Sequence, residues 1–82
     1  MIITQPSVFD AYAVTPSDTN DLPNGPTKAI YIGDATAGNV SVITQGGQTV
    51  TLENLQPGQI HFFAVKRVLA TGTTATKILA LY

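Results

Sequence analysis

His61 is the side chain best suited to acid–base chemistry, since histidine titrates near neutral pH without perturbation and the sequence has only one. A nucleophilic site would also need a serine or cysteine beside this base and a carboxylate that orients it. The sequence has no cysteine and no Gly-x-Ser-x-Gly motif. We therefore assign His61 a structural role and predict no catalytic residue and no enzymatic activity.

The five carboxylates are the other groups that could bind a ligand. Asp18 and Asp21 are three residues apart, but a calcium loop needs several oxygen ligands at alternating positions, a glycine and a terminal glutamate. The glycine-bearing segment 33–38 lacks the lysine and following Ser/Thr of a phosphate-binding loop. We predict no metal site and no cofactor, and we expect Asp18 and Asp21 to cap turns.

The low charge content indicates a protein that lies against other proteins. Charged residues make up 11% of the sequence, less than half of the ~25% that is usual. A net charge of −1 gives no basic footprint for nucleic acid. No apolar run approaches the ~20 residues of a membrane span, and the first residues lack the basic and apolar regions of a signal peptide. We expect a protein made in the cytoplasm that binds neither nucleic acid nor membrane.

The small size of the chain limits the core that it can build. A domain of 82 residues buries only about 60–65% of its unfolded surface. Without cysteine, no disulfide framework can supplement that core. We therefore expect contacts with other subunits to contribute to stability.

Period-two alternation and regular turn signals predict an all-β fold. The predicted strands are residues 28–33, 39–44, 49–53, 60–69 and 77–82, and residues 8–14 form either a further strand or a docking arm. A Gly-Gly hairpin falls at 45–48 and a Pro-Gly turn at 56–59. We predict one small antiparallel β-sandwich or barrel of about five to seven strands over residues 28–82. An extended N-terminal arm with turns, residues 1–27, precedes it, and residues 1–6 are expected to be a short extended end.

Both faces of the last two predicted strands are apolar. Ile60 and Phe62 lie on one face of the strand 60–69, with Phe63 and Val65 on the other. An antiparallel sheet with one solvated face would carry polar residues on that face. The second face must be covered by another layer of this chain or by another chain, and the sequence leaves both alternatives open.

Several strings in the sequence resemble a family of small virion proteins from tailed bacteriophages and gene transfer agents. They are VTPSDTNDLP at residues 14–23, KAIYIG at 28–33, GGQTVT at 46–51, RVLATGTT at 67–74 and ILALY at 78–82. Members of the family form the base of head spikes or decorate the capsid. The family often ends in tryptophan where this chain has Tyr82, and residues 1–13 have no clear counterpart in it.

The resemblance implies an all-β fold, no catalysis, and a ring or cluster of copies on the capsid surface. From it we expect a virion structural protein, either a capsid-attached decoration (cement) protein or a head-spike base. Its expected partners are other copies of itself, as a trimer or pentamer, the major capsid protein and a spike fibre. It would be assembled in the host cytoplasm and located on the virion.

The proline-bearing residues 15–26 are the predicted docking segment. Prolines at 16, 23 and 26 exclude a helix or central strand, and a stiffened segment loses less entropy on binding. We expect residues 15–23 of this segment to lie over a neighbouring copy or the capsid shell, or to pack back at the subunit boundary; the alternative is a loop folded onto its own sheet. The predicted assembly or capsid contacts are Thr15, Pro16, Asp18, Asn20, Asp21, Leu22, Pro23, Arg67, Leu79, Leu81 and Tyr82.

A second hypothesis is a small binding module on a tail fibre or a carbohydrate-recognising appendage. Residues 55–61, LQPGQIH, are similar to the Leu-x-Pro-Gly-x-x-Tyr corner of fibronectin type III domains. His61 replaces the tyrosine of that motif, which should remove its corner hydrogen bond, and the sequence has no tryptophan. We interpret the similarity as a shared Pro-Gly turn.

Overall fold

The computed structural model describes residues 10–82, which form seven β-strands and no helix. The strands are β1 (Ala11–Ala13), β2 (Ala29–Ile32), β3 (Gly38–Thr44), β4 (Thr49–Leu55), β5 (Ile60–His61), β6 (Val65–Val68) and β7 (Ile78–Leu81). They form a four-stranded sheet in the order β1-β7-β2-β5 and a three-stranded sheet in the order β4-β3-β6. All five pairings are antiparallel, so the predicted all-β fold class is confirmed.

Four of the predicted strands occur close to their expected positions, as β2, β3, β4 and β7. Residues 11–13 of the predicted strand 8–14 form β1, which pairs with β7 so that Ala11 lies opposite Leu81. Residues 8–9, and the predicted extended end at residues 1–6, lie outside the described residues. The boundary between an arm and a β domain at residue 27 stays a prediction.

The predicted single strand 60–69 is wrong, because the chain changes sheet within it. Ile60 and His61 form β5 in the four-stranded sheet, whereas residues 65–68 form β6 in the three-stranded sheet. At the crossover the N–H of Phe63 donates to the carbonyl of His61 at 3.1 Å. This tight turn interrupts the alternation and removes both phenylalanines from the sheets.

The core lies between the two sheets and consists mainly of β-branched residues. Its members are Ile30, Ile32 and Ile78 of the four-stranded sheet, Val40, Val42, Val65 and Val68 of the three-stranded sheet, and Ala75 of the β6–β7 loop. β-Branched side chains pack well on pleated surfaces. Partly buried Val14 and Leu22 also pack against this cluster, so residues that precede β2 contribute to the same core.

Gly38 lies where β3 begins beside the β6–β7 loop, and its missing side chain permits close packing. A Cβ at Gly38 would lie 2.9 Å from the Cα and 3.0 Å from the Cβ of Ala75. We expect Gly38→Ala to lower the free energy of unfolding by about 1–3 kcal/mol, because the loop must shift to admit the methyl group. Urea unfolding tests this, with Gly46→Ala as the control, since a Cβ there would meet nothing closer than Thr44 Oγ1 at 3.9 Å. Equal midpoints for the two variants would contradict the prediction.

Candidate assembly surface

The docking segment, residues 15–26, runs along the outer edge of β6. The N–H of Ser17 donates to the Val68 carbonyl at 2.8 Å, and the N–H of Leu22 donates to the Lys66 carbonyl at 2.8 Å. The segment therefore covers one edge of the three-stranded sheet, which would otherwise expose unpaired backbone groups. In the single chain the segment folds onto its own sheet, as in the alternative to docking on a neighbouring protein. Contact of its outer side with a neighbouring protein stays a prediction.

Arg67 joins the docking segment to β6 through two contacts. Its Nε donates to Asp21 Oδ1 at 2.8 Å, and its Nη1 donates to the carbonyl of Asp18 at 3.2 Å. The expectation that the two aspartates cap turns is wrong, because the turn is capped by Ser17, whose Oγ accepts from the N–H of Asn20 at 3.1 Å. The carboxylates instead make contacts about fifty residues away along the chain, 53 for Asp18 to Thr71 and 46 for Asp21 to Arg67.

Two aspartates hold the two ends of the β6–β7 loop. Asp18 accepts hydrogen bonds from the N–H of Thr71 at 2.9 Å and from its hydroxyl at 2.7 Å. Asp34 accepts from the Thr76 hydroxyl at 2.7 Å and from the Thr76 N–H at 3.3 Å. Because these bonds favour the charged carboxylate, the Thr71 contacts lower the pKa of Asp18 and the Thr76 hydroxyl lowers the pKa of Asp34.

Acid is expected to loosen this loop. Both folded-state pKa values lie below the ordinary value of 3.8, so the stabilisation is fully present above that pH and is lost as the pH falls through the folded-state pKa. In the wild-type protein we expect the protection factors of the loop amides, which are corrected for the intrinsic pH dependence of exchange, to fall as the pH drops below 3.8. The double variant Asp18→Asn/Asp34→Asn should exchange faster at neutral pH and lack this acid dependence. Asp10→Asn is the control, and a double variant with the wild-type pH profile would refute the assignment.

An exposed apolar group lies at the β5–β6 crossover, and we name Ile60, Phe62 and Phe63 the aromatic tip. Their side chains are 49%, 57% and 44% exposed, respectively. Neighbouring exposed apolar side chains are typical of interaction sites in soluble proteins, so the aromatic tip is a candidate contact. From the sequence, these residues were predicted to lie on the faces of one strand, and they were not among the predicted assembly or capsid contacts. The signal that could have identified them is the adjacent Phe-Phe pair, since both rings cannot point to the same side of one strand.

Thr27 fixes the backbone of the aromatic tip from the end of the docking segment. It is 3% exposed, and its hydroxyl donates to the Phe63 carbonyl at 2.9 Å and accepts from the N–H of Val65 at 3.2 Å. One buried hydroxyl thus satisfies polar groups on both sides of the crossover. The tip is therefore held in place by a residue that the sequence did not single out.

Replacing Thr27 by valine is expected to release the crossover. The Phe63 carbonyl loses its hydroxyl donor, and this should reduce the free energy of unfolding by about 1–3 kcal/mol. Urea unfolding measures the change. Thr27→Ser keeps the hydroxyl and should be closer to wild type; the idea fails if serine and valine destabilise equally.

The remaining predicted contact residues are Leu79, Leu81 and Tyr82, which lie in β7 or directly after it. Leu79 is half-buried and Leu81 is buried, and both alternate along β7 with Ile78, which faces the core. Tyr82 donates its hydroxyl to the Gly25 carbonyl at 2.8 Å, and its ring lies edge-on to Tyr12 at 5.7 Å. Burial raises the pKa of Tyr82. Arg67 therefore contacts the docking segment, whereas Leu79 and Leu81 lie on the outer face of the four-stranded sheet.

A groove with a volume of ≈ 400 Å³ follows the docking segment. Six of the predicted contact residues line it: Thr15, Pro16, Asn20, Asp21, Leu22 and Pro23. Val68 of β6 also lines this groove. The groove therefore combines an apolar wall with polar groups, which suits a protein surface better than a metal ion, and no metal-binding group of three His, Cys, Asp or Glu occurs among the described residues.

His61 has a structural contact in the Pro-Gly turn. Its Nε2–H donates to the carbonyl of Gln56 at 3.1 Å, and Gly58 has a φ of 76°, a conformation that glycine adopts without strain. The expectation that histidine removes the corner hydrogen bond is wrong, since this bond links the same side chain to backbone five residues upstream.

Within residues 10–82, no helix is long and apolar enough to span a bilayer.

Comparison with known proteins finds a match among solved structures. No protein-family model and no curated protein matches the chain. Among solved structures, it matches a chain in the capsid of a native gene transfer agent particle, computed with C5 symmetry, with 35% sequence identity and a TM-score of 0.75. The match covers 93% of this chain and 84% of the other.

Proposed function

The chain belongs to the family of the gene transfer agent capsid chain that it matches, and from this membership we propose that it is a structural protein attached to a capsid. The match at 35% identity over 93% of the chain is the observation that carries the proposal. It agrees with the resemblance of residues 14–23 and 67–74 to virion proteins. The chain would be located on the surface of a virion or virion-like particle.

Two forms of capsid attachment fit this proposal: a decoration (cement) protein and the base of a head spike. In both, the chain binds the capsid shell and further copies of itself, and in the second a fibre is mounted on it. The docking segment and the aromatic tip are the surfaces that we assign to these contacts. They are joined through Thr27, which follows the segment directly and hydrogen-bonds to Phe63.

The aromatic tip supplies the binding energy in this account. Aromatic side chains that become fully desolvated dominate the energetics of protein interfaces, and Phe62 and Phe63 are exposed in the single chain. A specific contact needs about 800 Å² of buried surface on each partner, so neighbouring groups such as the outer side of the docking segment must contribute as well. Many copies on one particle would make weak single contacts effective through avidity.

A catalytic role is not supported by the surroundings of His61. Its Nε2 is engaged by the Gln56 carbonyl, and the sequence contains no cysteine that could act with it. No metal-ligand cluster is found among the described residues. The proposed structural role, which rests on the capsid match, requires no catalysis.

Quantifying and locating the chain on purified particles tests the proposal. A particle preparation from the source organism is compared with one from a strain that lacks the gene, using mass spectrometry for copy number and immunogold labelling for position. Many copies on the heads, restored by the wild-type gene, are the expected result. Labelling confined to tail tips would support the binding-module hypothesis instead, and absence from particles would refute both.

A further inference from the structure

We propose that the outer edge of β4 is a self-association site at which the β4 strands of two copies pair antiparallel about Thr51. Within residues 10–82, β4 pairs only with β3. The fold treats the two edges of the three-stranded sheet differently, since the docking segment covers β6, while the regular part of β4, residues 49–53, has no strand on its outer side among the described residues. This inference concerns the free protein and does not depend on capsid attachment.

The backbone groups that the edge offers follow from the hairpin. The N–H of Thr44 donates to the Gln48 carbonyl at 2.8 Å, and Val42 pairs with Val50 in the same register. Because hydrogen-bonded pairs alternate along an antiparallel ladder, the backbone groups of Val50 and Leu52 point to β3. Those of Thr49, Thr51 and Glu53 therefore point away from the sheet and are directed at a partner strand.

The edge lacks most of the devices that prevent strands from pairing. Natural proteins protect edges with lysine, proline, short strands or bulges. β4 has no lysine or proline, and its one charged residue is Glu53. The register shift in the β3–β4 ladder falls between Leu52 and Leu55 of β4, where Asn54 has a φ of 57°, so the regular part of the edge is residues 49–53. Val50 is also 38% exposed, although it shares the face of core residue Val42.

The sequence of β4 favours a second copy in one register. With Thr51 opposite Thr51 of the second copy, all six outward groups of each strand find a partner. Val50 then lies opposite Leu52 of the second copy, which covers apolar surface on both. Glu53 lies opposite Thr49, and the two glutamates are about 14 Å apart along the strands at ~3.4 Å per residue, so no like charges face each other. The contact is isologous, and the two three-stranded sheets become one continuous sheet.

A single cysteine tests the register directly, because the wild-type sequence contains none. Residues directly opposite in a hydrogen-bonded antiparallel pair have Cα atoms about 5.5 Å apart, within the 4.4–6.8 Å range of disulfides. We expect Thr51→Cys to form disulfide-linked dimers about tenfold or more faster than the exposed control Thr36→Cys, because pairing raises the effective thiol concentration. Equal rates would overturn the proposal.

Charge changes at Thr49 provide a second test that needs no cross-link. Thr49→Lys places a positive charge opposite Glu53 of the second copy, whereas Thr49→Glu places a negative charge there. Each contact occurs twice in the dimer, so the dissociation constants from sedimentation equilibrium should differ about tenfold or more, with lysine tighter. Equal constants for the two variants, or a wild-type protein that stays monomeric over the whole concentration range, would also overturn it. Loss of particle attachment in the aromatic-tip variants leaves this result unchanged, so the two proposals can fail separately.

Discussion

The double variant Phe62→Ser/Phe63→Ser is expected to remain folded and to lose its attachment to particles. Both rings are about half exposed in the single chain, so their removal costs the core little. If both act as buried anchors in the complex, each worth at least ~2 kcal/mol, attachment weakens by about three orders of magnitude.

The measurement is co-sedimentation of purified wild-type and variant protein with particles from a strain that lacks the gene. Tyr12→Ser is the control, since Tyr12 is an aromatic residue with 46% exposure in β1, at the opposite edge of the four-stranded sheet from β5. Near-ultraviolet circular dichroism confirms that each variant is folded. A double variant that binds particles as well as wild type would show that the aromatic tip is not needed for attachment.

Ile30→Ala is expected to be the most destabilising single change among those considered. Ile30 is fully buried in β2, where it lies opposite Ala80 on one side and His61 on the other. Truncating such a residue costs about 2–5 kcal/mol. A domain of this size has a total stability of roughly 4–12 kcal/mol at 0.05–0.15 kcal/mol per residue, so the variant loses a large fraction of it.

The matched control is Ile60→Ala, the same chemical change at a side chain that is 49% exposed. Exposed substitutions of this kind usually change stability by less than about 0.5 kcal/mol. Urea unfolding of the two variants at one temperature gives the comparison. Similar midpoints would mean that the core does not lie between the two sheets as described.

Two of the strands that the sequence predicted correctly, β3 and β4, alternate and are bounded by turn residues. β3 and β4 flank a Gly-Gly hairpin, and Gly47 has the positive φ of 91° that this turn needs. The crossover at 62–64 was missed because its residues are as apolar as a strand. The Thr27 hydroxyl, 36 residues away from Phe63 along the chain, binds the backbone of the crossover, and no local pattern predicts such a contact.

The candidate surface was predictable in part for the same reason. Turn formers and prolines identified the docking segment, but its pairing with β6 depends on backbone bonds such as Leu22 to Lys66, which involve distant residues. The aromatic tip was missed because apolar residues in a predicted strand are assigned to the core by default. Only the arrangement of two sheets shows that Phe62 and Phe63 lie outside it.

A reconstruction of intact particles at residue resolution tests the central claim most directly. We predict density for this chain on the capsid surface, with Phe62 and Phe63 buried against the shell or an adjacent subunit. The chain missing from the head, or present there with both phenylalanine rings facing solvent, would contradict it.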